Sequence, residues 1–163
     1  MENRTELQRI EENLDIHAMP ANPWRFDVDL GSMPDDSMGR LLVAMTVIAK
    51  HLEEGDLSDE QWEAVLPAWL LAAIPRLSKE EADRLLAVTP RSHWNSLPWD
   101  RLSWLDAVRD RGWRWWGRSQ TGDKACIVVH IAMYPERIDA FRELLRAAGI
   151  VILSEDYGLK SST

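Results

Sequence analysis

The sequence predicts an α+β fold in which a four-stranded sheet follows the order β-α-β-β-α-β. Its first crossover is swollen by a large all-helical insertion over about 36–111. Three observations carry this. "WRFDVDL" (24–30) alternates Trp24, Phe26, Val28 and Leu30 with Arg25, Asp27 and Asp29, the period of two that gives a strand one apolar and one polar face. "ACIVVHIAM" (125–133) is β-branched and unbroken, the pattern of a strand covered on both faces. Between them, apolar residues recur at helical spacing, first as Met38, Leu41, Leu42, Met45, Ile48 and Leu52.

Each element has its own start and stop signals. Thr5 and Gln8 stand at capping-box spacing ahead of Leu7, Ile10 and Leu14, and Pro20 and Pro23 end that helix. After the first strand, "GSMPDD" turns the chain into a helix that Asp36 or Ser37 can cap and Gly55 stops. Ser58 with Gln61 opens a helix carrying Trp62, Val65, Leu66, Trp69 and Leu70, which Pro67 divides or kinks. Ser78 with Glu81 opens a short helix through Leu85 and Leu86, closed by Pro90. Ser96 can cap the next, with Pro98 in its first turn, and Gly112 ends it. A hairpin through "SQTGDK", a helix from Pro135 to Gly149 and a final strand "IVILS" complete the chain. Right-handed crossovers put the first and third strands in the middle of the sheet, which makes this the plan of ferredoxin-like folds. At 163 residues the whole chain, 1–163, reads as a single domain.

"RGWRWWGRSQTGDK" (111–124) sets three tryptophans among arginines on a predicted sheet strand. With Thr121-Gly122 as the turn, one face holds Trp113, Trp115, Cys126, Val128 and His130, and the other holds Arg114, Trp116, Arg118, Ile127 and Val129. A bulge would swap these sets. Trp113 and Trp115 are then core, and the arginines lie over Trp116. A base-stacking platform needs basic surroundings, which this chain lacks.

The net charge is −8, and it is uneven: residues 1–90 hold 18 acids to 8 bases, the remainder 9 to 11. That balance argues against a phosphate backbone as partner and suits a basic protein surface. No apolar run approaches the roughly 20 residues that span a bilayer. The charged N-terminus lacks the apolar stretch of a secretory signal, so a cytoplasmic location is expected. Cys126 is the only cysteine, which excludes an internal disulfide, and in its apolar strand it is expected to be buried and inert.

Chemical signatures are sparse. His17, His51, His93 and His130 never stand at metal-ligand spacing, and neither a metal nor a cofactor is implied. There is no glycine-rich phosphate loop and no serine nucleophile elbow. Of the histidines, His93 in the tryptophan-rich loop is the site-like one, whereas His130 reads as core. Asp27 and Asp29 share a polar strand face, where cross-strand pairing with arginine is the simple expectation and a ligand site the alternative.

Two stretches read as partner surface. One is the acidic run Glu53, Glu54, Asp56, Asp59, Glu60 and Glu63, with Glu60 and Glu63 expected toward solvent. The other is the Arg114, Trp116 and Arg118 edge, since Trp and Arg dominate interface hot spots. In its size, acidity, single domain and tryptophan-rich composition around 94–116, the chain resembles bacterial toxin-immunity proteins. That resemblance, carried by general character and no motif, implies a non-catalytic protein that neutralises a cognate toxin, basic at its contact surface, in a tight stoichiometric complex. Two other readings stay open. One is a small-molecule-binding regulatory domain. The other is an enzyme using Asp27, Asp29, His93 or His130 in a cleft.

Overall fold

The computed structural model describes residues 5–12, 16, 19–55, 57–96, 99–132 and 138–157. Among these the chain is mixed helix and sheet, with seven α-helices around one four-stranded antiparallel sheet. The strands are β1 (Pro23–Asp29), β2 (Trp113–Thr121), β3 (Lys124–Ile131) and β4 (Val151–Tyr157), in the order β2-β3-β1-β4.

The predicted capping boxes form. In α1 (Glu6–Glu12) the Thr5 hydroxyl accepts from the Gln8 amide while Gln8 accepts from the Thr5 amide. Ser58 and Gln61 do the same for α3 (Asp59–Val65), and Ser78 and Glu81 for α5 (Lys79–Val88). Pro67 separates α3 from α4 (Ala68–Ala73), because a proline in that turn has no amide to donate. Gly55 follows α2 (Pro34–Glu54) with a φ of 124° that L side chains rarely adopt.

Other boundaries differ from expectation. α2 starts at Pro34, ahead of Asp36 and Ser37, because proline at the first helical position has no amide to satisfy and a φ already set for helix. Asp35 and Asp36 then sit in the first turn, where the helix dipole favours acids. α6 (Arg101–Arg109) is capped by Asp100 rather than Ser96; one Asp100 oxygen accepts from the Ser103 amide and the other from Leu77. Ser96 ends a 3-10 turn, Arg91–Ser96, that precedes it. α7 (Asp139–Ala147) begins beyond Pro135, which, like Leu14 and Pro98, lies outside the described residues. Val65, expected on the inner side of its helix, is exposed. α5 buries no residue, leaving Leu85 half-covered and Leu86 exposed.

The core lies between the helices and one sheet face. That face carries Phe26 and Val28 from β1, Ile127, Val129 and Ile131 from β3, and Trp113 and Trp115 from β2. Phe141 of α7 packs its ring against both Phe26 (5.2 Å between centroids) and Trp113 (5.0 Å). α2 adds Met38, Leu41, Met45 and Ile48, and α6 adds Trp104, whose indole donates to the Ala140 carbonyl at 3.0 Å.

The β2–β3 hairpin overturns the expected facing. Its turn is Gly122-Asp123, one residue later, with Gly122 at a φ of 62° in the first turn position. That shift alone would keep the tryptophans on the side of His130. A bulge at Trp116 then steps the register, so Trp113 pairs with Ile131, Trp115 with Val129, and Gly117 with Val128. Trp113 and Trp115 therefore join Ile127, Val129 and Ile131 in the core. Cys126, Val128 and His130 go to the other face, where Cys126 and His130 are half-buried. Cys126 is thus not the enclosed thiol its apolar strand suggested, because its partners across β1 and β2 are Asp27 and Ser119.

Candidate interaction surface

The acidic run is divided by its neighbours. Glu63, expected toward solvent, is pulled against the body of the protein: its side chain is only 18% exposed and it accepts from Arg101 at 2.7 Å and from Arg76 at 2.8 Å. The hydrogen bonds from Arg76 and then Arg101 bring its carboxyl from an ordinary 4.5 down to about 2. Arg101 also donates to the carbonyls of Ile74 and Leu71, so Glu63 helps lock α3, α4 and α6 together. Asp59 accepts from Arg109 at 2.8 Å, and Arg109 in turn donates to the Leu57 carbonyl. Asp56 lies outside the described residues. Glu53, Glu54 and Glu60 are exposed, with Glu54 in a loose 3.9 Å contact to His51.

On the sheet, the carboxylates of the polar face are paired. Asp27 accepts from Arg25 on its own strand and from the Ser154 hydroxyl on β4. Asp29 accepts from the Gly31 amide at 2.9 Å and from Lys124 across on β3 at 3.4 Å. The Gly31 hydrogen bond does most to lower its pKa. The expected cross-strand partner of this face is thus a lysine, and the arginine is a neighbour two residues away. His93 is exposed in the 3-10 turn.

Arg114, Trp116 and Arg118 do not share one face. Arg114 pairs with His130 on the outer face and its side chain is 55% exposed. Trp116 occupies the bulge, half-covered. Arg118, beyond the bulge, pairs with Ile127 on the helix side, where it donates to Gln120, which reaches Asp35 at the start of α2.

What sequence reading missed is the set of long-range partners that α1 brings to this edge. The Glu6 carboxylate accepts both terminal nitrogens of Arg111 and also the Trp115 amide at 2.7 Å. Arg9 places its guanidinium 3.5 Å over the Trp116 ring and donates to the Trp116 carbonyl. Arg111 donates to the Trp113 carbonyl at 2.9 Å. The Trp113 and Trp116 carbonyls and the Trp115 amide, at the start of β2, are thereby engaged by side chains, which protects that part of the edge strand from pairing with another chain. The acids and bases involved stand over 100 residues apart, and no local pattern connects them.

α1 also joins the two predicted surfaces. A hollow of about 450 Å³ is lined by Thr5, Glu6, Leu52, Glu53, Arg109 and Arg114, so the acidic corner and the arginine edge meet there. Among the described residues no group of three or more His, Cys, Asp or Glu is placed to hold a metal ion. None of their helices is long and apolar enough to cross a membrane. No protein-family model, curated protein or solved structure matches the chain.

Proposed function

We propose that this chain is a non-catalytic protein-binding protein. Its specific role is that of an immunity protein, which neutralises a cognate bacterial toxin in the cytoplasm by forming a tight stoichiometric complex. The fold we assign is the ferredoxin-like plan with its helical insertion, offering a rigid sheet edge beside a helical corner. The observation that carries the reading is the hollow lined by both Glu53 and Arg114, to which the acidic run and the arginine edge each contribute a wall residue. Glu53, Glu54 and Glu60 supply exposed negative charge for a basic partner, while Arg114 and the half-covered Trp116 supply the residue types that anchor interface cores. Asp59 and Glu63 serve this surface indirectly, by holding the α3 and α6 segments in place.

The test is direct. The product of the gene adjacent to this one is expressed, and complex formation is measured by titration calorimetry. A one-to-one complex that extinguishes the partner's toxic activity supports the proposal; a neighbour that neither binds nor is toxic opposes it.

One observation favours a second reading, a small-molecule-binding regulatory domain. A groove of about 940 Å³ runs between α5, α7 and β4, with Leu85, Leu86, Ile150 and Ile152 on its walls and Arg142 and Arg146 beside them. Ligand sites combine apolar walls with a few fixed polar groups in this way. A melting shift with a member of a metabolite library would favour that reading over the first.

A further inference from the structure

In a chain of net charge −8, one corner has the opposite sign. Arg9 and Arg114 line one hollow with Glu6, Trp116 and His130, the last near the end of β3 and paired in register with Arg114, and the charge of Arg111 also acts on this histidine. Glu6 is fully engaged, holding Arg111 with both oxygens and the Trp115 amide as well. Arg114 therefore reaches it only at 3.9 Å and leaves more than half of its own side chain in solvent. The His130 ring stands edge-on to Trp116, 6.1 Å between centroids, and makes no side-chain hydrogen bond among the described residues. A hollow of about 250 Å³ opens between these groups.

We propose that this corner binds a single oxyanion, a carboxylate or phosphate group, between Arg114 and His130 beside Trp116. The guanidinium offers a fork of donors matched to such a group, and a protonated imidazole adds a charge-assisted donor. The hollow is smaller than the roughly 300–1,000 Å³ of pockets that enclose whole metabolites, which fits one anionic group rather than a nucleotide. Burial first, and then the positive charges of Arg114, Arg9 and Arg111, hold His130 below the ordinary imidazole pKa, with Glu6 opposing. A bound anion would offset those charges, so binding raises the His130 pKa and strengthens as pH falls through its titration. The proposal goes beyond the partner reading, since the isolated chain suffices to test it.

The experiment follows the His130 ring-proton resonances while inorganic phosphate or acetate is added at constant ionic strength. Expected are a saturable shift and a rise in the His130 titration midpoint. The loss of one charge-assisted hydrogen bond in Arg114→Gln weakens the response by about tenfold or more. In His130→Gln, the indole emission still responds to the anion but the pH dependence is gone. A stronger response to phosphate assigns the site to phosphate-bearing ligands, and a stronger response to acetate assigns it to acidic side chains or chain ends. If neither anion gives a saturable shift, or Arg114→Gln responds like the unmodified chain, the proposal is wrong. Failure here leaves the partner reading standing, since that rests on binding a protein.

Discussion

Glu6 and Arg111 form a nearly enclosed ion pair, their side chains 8% and 2% exposed, that fastens α1 onto the free edge of β2. Enclosing an ion pair is not in itself strongly stabilising, but removing one member strands the other charge away from water. Among the described residues the Arg111 Nε is already buried with no acceptor, and besides Glu6 the guanidinium donates only to the Trp113 carbonyl, which cannot balance its charge.

Glu6→Gln is therefore expected to lower the unfolding free energy by about 3–5 kcal/mol, the cost of breaking a buried pair from one side. Urea unfolding measures it. A loss below about 1 kcal/mol, the level of an exposed pair, would mean that the edge is held by other groups.

The tryptophan series separates core from corner. Trp113→Ala and Trp115→Ala each remove a fully buried indole and should cost about 3–5 kcal/mol. Trp116→Ala, at the half-covered bulge, should cost much less. If Trp116 proves the most destabilising of the three, the bulge is misplaced and the outer face must be redrawn.

Much of this architecture was legible in the sequence; apart from helix starts such as Pro34 and Asp100, what escaped depends on partners far apart along the chain. The three capping boxes are local: a hydroxyl and a glutamine or glutamate three residues apart form them whatever the tertiary context. The alternation in β1 is local as well. The bulge at Trp116 is not, because it is fixed by α1 closing over β2 and by Trp113 meeting Phe141. The acidic run shows the same limit: Glu63 lies on a helix face that reads as solvent-exposed until Arg101 arrives from α6. The candidate surface was thus half legible, its residue types visible and their pairing not.

The Glu63 pairing has a pH signature. Its carboxyl is depressed from 4.5 to about 2, so its stabilising contribution is fully present above 4.5 and is lost as pH falls toward 2. The gap in unfolding free energy between the unmodified chain and Glu63→Gln should be widest at neutral pH and close progressively below 4.5. A gap independent of pH would assign the effect to packing instead of charge.

Cys126 should react slowly in the folded chain without being fully protected. Burial first, and also the neighbouring Asp27, push its thiol above the ordinary range, while Arg25 opposes. Thiolate is the reactive form, so labelling should have its pH midpoint raised, and Asp27→Asn should lower it. Complete protection until denaturant is added would show that this sheet face is covered.

The central claim is that the corner joining Glu53 and Glu54 to Arg114 receives a protein partner, and its most direct test is the association rate with the neighbouring gene's product. Charge-reversed Glu53→Lys/Glu54→Lys should associate more slowly and with a flatter salt dependence, at an unchanged or raised melting temperature. Arg114→Ala should mainly speed dissociation. An association rate that neither the reversal nor added salt alters would contradict the account.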